Sequence, residues 1–182
     1  MRIGIVLGSV RDGRAGESVA QWVVSQAAQR DDATFELIDV RSFDLPILDD
    51  AKVPASRGGK YPDEKVQAFA DRMAAQDGFI FVTAEYNHGV PGAFKNAIDH
   101  LGPELNTKPV AFVSYGAESG VRAVEQWRPI VANFNMFDIR AQVPLNLFTE
   151  FDENGVKPNE RRPDELTALF DSLIPIARKL AS

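Results

Sequence analysis

Two stretches of this chain, IGIVL at residues 3–7 and GFIFV at 78–82, are apolar without interruption. A strand with one face in water alternates apolar and polar residues. An unbroken run suits a strand covered on both faces, the condition of a parallel sheet between helical layers. Strands are accordingly expected at 2–7 and 78–83, with others at 34–40, 109–114 and about 138–147. Amphipathic segments lie between them at 16–30, 62–76, 91–101 and 120–133, with a last one at 164–180. Five strands alternating with five helices predict a doubly wound α/β sandwich. Pro62 and Pro91 are expected in the first turns of their helices, where a missing N–H costs nothing, and Pro163 just ahead of the last helix. Residues 49–61 and 149–162 read as loops. The 182 residues are expected to form a single domain, since a chain of this length buries roughly 70% of its unfolded surface.

The charge balance narrows the partners. The 20 Lys and Arg are scattered among 26 Asp and Glu for a net charge of −6, without the basic stripe that a phosphate backbone selects, so no nucleic-acid partner is expected. Cysteine is absent, which excludes disulfides, thiolate catalysis and Cys-type zinc sites, and no metal site is expected elsewhere. The first apolar run is too short for a signal segment. No stretch approaches the roughly 20 apolar residues of a membrane helix, so no membrane contact and a cytoplasmic location are expected.

In an open parallel sheet, ligands bind beyond the carboxyl ends of the strands, where the winding reverses. Three loops there are unusual. Residues 8–18 read GSVRDGRAGES, and Ser9, Arg11 and Arg14 beside glycines at the start of a helix suit an anion cradle. Gly8 and Gly13 have the spacing of a P-loop, but Arg14-Ala15 stand where its lysine and Ser or Thr belong, and Val10 breaks the dinucleotide fingerprint. A plain surface turn with solvated arginines is the alternative. Residues 83–101 read TAEYNHGVPGAFKNAIDHL. Glu85, Tyr86 and Asn87 sit at the mouth of the third strand, and Gly89 and Gly92 are expected to let a flat heteroaromatic ring approach the backbone. The plainer reading makes Tyr86 a rim aromatic, Asn87 the cap of the next helix and Lys95–Asp99 a surface pair on it. The third loop, SYGAESGVRA at 114–123, is another glycine-rich strand-to-helix turn.

GSVRDGRAG, AEYNHGVPGAFKNAID and SYGAESGVRA, in this order over about residues 2–143, resemble the NADPH-dependent FMN reductase family of flavodoxin-like quinone, azo and chromate reductases. The middle motif, PEYNxGxPGxxKNxxD in the family, is the specific one. The resemblance implies a flavodoxin-like three-layer α/β/α sandwich whose five-stranded parallel sheet has the strand order 2-1-3-4-5. It implies FMN, with the phosphate on Ser9, Arg11, Arg14 and the amides through Gly16, Glu17 and Ser18. The isoalloxazine would then lie against Glu85, Tyr86, Asn87 and Gly89, with Ser114, Tyr115 and Gly116 near its pyrimidine side. NADPH or NADH is the implied hydride donor, and a quinone, azo compound, metal oxyanion or flavin the implied small-molecule acceptor. A homodimer or homotetramer is the implied assembly. The flavin carries the chemistry, so no catalytic side chain is named. Ala84 stands where the family has proline, and Arg14 and Gly16 where many members have Ser and Asn.

A flavodoxin-type FMN electron carrier without a pyridine-nucleotide site is the alternative within the fold, and an FMN-binding protein without activity is another. A receiver domain of the same architecture needs acids after the first strand and an acceptor Asp after the third, where this chain has Gly8-Ser9 and Thr83-Ala84-Glu85. Of the two histidines, His100 is expected at a helix C-terminus and His88 near the ring. Trp127, residues 134–137 and the helix at 92–101 are read as apolar surface in excess of what one sheet face needs, as an oligomer would have.

Overall fold

The structure, a computed structural model, describes residues 1–181. Strands β1 (Arg2–Leu7), β2 (Thr34–Asp39), β3 (Gly78–Ala84), β4 (Pro109–Gly116) and β5 (Phe137–Asn146) form one parallel sheet in the order β2-β1-β3-β4-β5. This is the flavodoxin-like order that the resemblance implied. Strands β3 and β4 are buried at every residue and β1 at all but its first, whereas the edge strands β2 and β5 are only partly buried. The uninterrupted apolar runs therefore mark the middle of the sheet, where both faces are covered.

Alternate side chains along each strand divide the core between two layers. Ile3, Ile5, Leu7, Val82, Val113 and Leu145 pack with α1 (Gly16–Ala27) and α5 (Arg162–Leu180). Val6, Phe79, Phe81 and Phe112 pack with α2 (Glu64–Ala74), α3 (Gly92–Asp99) and α4 (Val121–Asn133). Trp127 of α4 belongs to this second core, not to surplus surface: it is fully buried, its ring centroid 4.8 Å from that of Phe94, and its Nε1–H donates to Thr83 Oγ1 at 3.0 Å. No described helix is long and apolar enough to cross a membrane.

Element ends depart from the sequence reading where capping decided them. Asp63 caps α2, its carboxylate accepting from the amides of Lys65 and Val66, so Pro62 stands outside that helix. Pro91 occupies the cap position of α3, and α5 begins at Arg162 with Pro163 inside its first turn. Residues 149–162 are not loop throughout, because β6 (Phe151–Asp152) and β7 (Gly155–Val156) pair antiparallel. That hairpin docks on α1, the Val156 amide donating to Ser18 Oγ at 3.0 Å. The winding reverses between β1 and β3, so their C-terminal ends lie side by side while their crossovers leave in opposite directions, and a crevice opens there.

Candidate functional site

The ends of β1, β3 and β4 converge on one open cavity of about 210 Å³. Ser9, Arg11, Gly13, Arg14 and Ala15 line it from the first loop, Ala84, Glu85 and Tyr86 from the second, Tyr115 and Gly116 from β4, and Leu147 from beyond β5. Gly8 lets the chain leave β1 this way: a Cβ there would fall 1.9 Å from the buried Phe94 ring. From Val10 to Ala15 the loop amides donate no backbone hydrogen bond, and Gly13, at φ 62°, has nothing within 4 Å of where a side chain would start. Free amides running into the N-terminus of α1 favour an anion.

Arg14 and Arg11 have unlike places. The Arg14 side chain is 6% exposed, pairs with both carboxylate oxygens of Asp39 at the end of β2, and donates to Ser9 O at 2.5 Å. The hydrogen bond to Asp39 raises the guanidinium above its already high ordinary value, against the cost of burial. Arg14 thus braces the cradle from below. Arg11 is exposed and lies over the Tyr86 ring, 5.7 Å from its centroid.

Two phenols converge on the same loop. Tyr86 Oη and Ser9 Oγ share a hydrogen bond of 2.9 Å. Tyr115 is 4% exposed, and its hydroxyl lies toward Ser9 and the Gly16 amide without a hydrogen bond of normal geometry. Burial pushes this phenol up to about 12, with Ser9 and Arg14 opposing the rise, so it is a neutral donor at physiological pH. Gly16 leaves room for it, since a Cβ there would come within 2.3 Å of the hydroxyl. Tyr115 Oη and Arg14 Nε, the latter with the Glu17 carboxylate 3.8 Å away as an ion-pair neighbour, are both buried without a hydrogen bond, in residues that line one cavity. Such a group costs about 1–3 kcal/mol until something satisfies it, so this wall fits a ligand rich in acceptor oxygens, as a phosphate-bearing cofactor is.

The loop after β3 is built differently from its sequence reading. Asn87 does not cap α3. Tyr86 and Gly89 exchange two hydrogen bonds of 3.0 Å around Asn87 and His88, which stand at φ 49° and 71° as the central residues of a type I′ turn do. Gly89 is not left-handed, and a Cβ there would meet the flexible end of Gln126 at 3.0 Å, while nothing lies within 4 Å of one at Gly92. The Glu85 carboxylate is held by Arg122, whose Nε donates at 2.6 Å and whose amide donates at 3.2 Å. Lys95 and Asp99 pair at 2.7 Å. His88 is exposed, and His100 caps the C-terminus of α3 with Nε2 2.9 Å from Pro46 O.

Gly16, Glu17, Ser18, Asn87, Gly89 and Ser114 do not line the cavity. Ser18 Oγ donates to Ala15 O and Ser114 Oγ to Ser119 O, both at 2.8 Å, so these hydroxyls shape the turns behind it. Sequence reasoning missed Asp39, Arg122 and Leu147. The first two are ion-pair partners brought in from other elements, with no local pattern to announce them. Leu147 was counted in the last strand, but β5 stops at Asn146, and the Leu147 amide makes the last bond to β4, donating to Gly116 O at 3.0 Å.

Known proteins share this chain's sequence pattern and fold. The family profile described as NADPH-dependent FMN reductase matches residues 1–150. An NAD(P)H-dependent FMN reductase of Schizosaccharomyces pombe is 33% identical over 135 residues, spanning 74% of this chain and 68% of that protein. A quinone reductase of Escherichia coli K12 is 31% identical over 139 residues, 72% of this chain and 69% of its own. The flavoenzyme NAD(P)H:(acceptor) oxidoreductase FerB of Paracoccus denitrificans shares the fold, with a TM-score of 0.76 at 19% identity over 98% of this chain and 97% of that one. A profile match through all three site loops, with relatives one third identical over most of both chains, makes this chain a member of the NADPH-dependent FMN reductase family.

Proposed function

We propose that this pyridine-nucleotide-dependent flavin oxidoreductase binds FMN in the crevice between the β1 and β3 loops and passes electrons from NAD(P)H to a quinone, azo compound, metal oxyanion or free flavin. The observation that carries the site is the pair of buried atoms without a hydrogen bond, Tyr115 Oη and Arg14 Nε, beneath a cradle of free amides. In this reading the phosphate takes Ser9, Arg11 and the loop amides toward Gly16, Glu17 and Ser18, while Arg14 holds the floor. The Tyr115 hydroxyl, directed at Gly16, reaches the phosphate end, although its backbone and those of Ser114 and Gly116 border the ring. Glu85, Tyr86, Asn87 and Gly89 flank the isoalloxazine, with the Arg122 pair fixing Glu85. One cradle suits a mononucleotide, and no second glycine fingerprint is present for an adenylate half.

FMN supplies a two-electron relay between donor and acceptor. With a quinone the balance is NAD(P)H plus one proton and quinone giving NAD(P)⁺ and hydroquinone. The protein needs no nucleophile for this; it orients the ring and offers neutral donors to it. A single cytoplasmic domain that assembles as a homodimer or homotetramer completes the proposal. With Trp127 in the core, the apolar surface left for such contacts includes Val10, Ile47 and Phe137. The test is NAD(P)H oxidation by dialysed protein with a quinone as acceptor. Activity restored by FMN supports the reading, and turnover indifferent to FMN, or none at all, contradicts it.

A further inference from the structure

The chain turns under close control where β5 ends. The Leu147 amide donates to Gly116 O at 3.0 Å, the Phe148 amide to Asn146 Oδ1 at 2.9 Å, and the Glu150 amide to Asn146 O at 2.9 Å. Asn146 Nδ2 donates to Ala117 O at 2.7 Å, tying the turn to the end of β4. Beneath it the buried Glu150 carboxylate accepts from the Asn146 amide at 3.0 Å, Asn159 Nδ2 at 2.8 Å and Arg162 Nε at 2.8 Å. A turn braced so thoroughly fixes where its side chains start, and two large apolar ones face solvent: Leu147 is 37% and Phe148 80% exposed.

Their position gives that exposure a meaning. Leu147 lines the cavity and Phe148 follows it on the same turn. At about 210 Å³ the cavity is smaller than the roughly 300–1,000 Å³ of sites that enclose a small molecule, so its ligands extend over the rim. That rim is uneven. On the β1 and β3 side it presents Arg11 stacked on Tyr86, a cationic and aromatic edge, and on the β5 side two apolar side chains on a rigid support.

Resting on the flavin-reductase reading above, we infer that Leu147 and Phe148 form the specificity-determining wall of the acceptor site, on which a planar apolar acceptor packs while it is reduced. A quinone ring there takes up the two electrons and one proton that leave NAD(P)H, plus one proton from solvent, and departs as hydroquinone. A compact hydrated anion gains nothing from the same wall. Glu150 is a positioning residue that acts through the turn.

The experiment compares FMN-loaded parent protein with Leu147→Ser, Phe148→Ala and the double variant, with a naphthoquinone and ferricyanide as alternative acceptors. The expected result is a fall of about tenfold in the ratio of kcat/KM for naphthoquinone to that for ferricyanide, carried by the naphthoquinone KM, with light scattering giving the parent's mass. A ratio within twofold of the parent's overturns the inference. So does a drop in mass on substitution, which would make the patch a contact between copies of the chain. A parent protein that reduces neither acceptor contradicts the functional reading itself, and this inference with it.

Discussion

Replacing Tyr115 with Phe separates stability from binding at the atom on which the proposed site rests. The ring is buried and lies 6.2 Å, centroid to centroid, from Phe151, contacts that phenylalanine retains. Only the hydroxyl is lost, and it makes no hydrogen bond of normal geometry within the chain. Leaving a buried donor unmade costs about 1–3 kcal/mol, so the ligand-free variant should gain on the order of 1 kcal/mol, roughly 2–4 °C in Tm for a chain of this size. FMN binding should move the other way. A hydrogen bond to a charged phosphate contributes about 1.5–3 kcal/mol, so the Kd for FMN should rise roughly 10- to 150-fold. Riboflavin, which lacks the phosphate, should lose much less, and the affinity ratio of the two flavins should narrow. Thermal melts of dialysed protein and fluorescence titrations with both flavins measure each part. A variant that melts several degrees lower and binds FMN as the parent does would refute the reasoning, because the hydroxyl would then be a structural donor.

Three other perturbations follow from particular contacts. Asp39→Ala leaves the buried Arg14 with Ser9 O and the exposed Glu17 carboxylate at 3.8 Å; breaking a fully buried pair costs about 3–5 kcal/mol, and with Asp39 27% exposed the loss should be about 1–3 kcal/mol by denaturant unfolding, with weaker FMN binding as the cradle loosens. His88→Gly places glycine at φ 71° in a turn that favours Asn-Gly, and a gain of about 0.5–1 kcal/mol in a thermal melt is expected; a loss would mean that the imidazole makes a contact of its own. Burial pushes the Glu150 carboxyl up, but Arg162 and the Asn146 and Asn159 amides outweigh it and hold the group below its ordinary value near 4.5. Its contribution is therefore complete above that value and fades as pH falls through the lower native one. Glu150→Gln should lower Tm at pH 7 and flatten the acid side of the Tm profile, whereas parallel profiles would remove Glu150 from the linkage.

What the sequence made legible and what it hid divide along local and non-local physics. β1 and β3 could be read because burial on both faces leaves an unbroken apolar run, and the loops that meet at the cavity because they follow the carboxyl ends of β1, β3 and β4, where an open parallel sheet leaves a crevice. Capping was misread where two local rules competed. Asn87 has the composition of a helix cap but was taken by the tight turn to Gly89, and Asp63 rather than Pro62 set the start of α2. Trp127 looked like surface in VEQWRPIV because its partners Phe81, Thr83 and Phe94 come from β3 and α3. Arg11 and Arg14 looked alike for the same reason, since Asp39, which gives Arg14 its bidentate partner, lies 25 residues away from it. Leu147 and Phe148 carried no signal, because their exposure depends on where β5 stops and on the carboxylate beneath.

The absorbance spectrum of the purified protein tests the central claim most directly. Titrated with FMN and freed of excess flavin, the protein should show about one flavin per chain, with visible bands that bleach on anaerobic addition of NADPH and return when a quinone is added. A protein that retains no FMN, or whose bound FMN stays oxidised under NADPH and NADH alike, would contradict it.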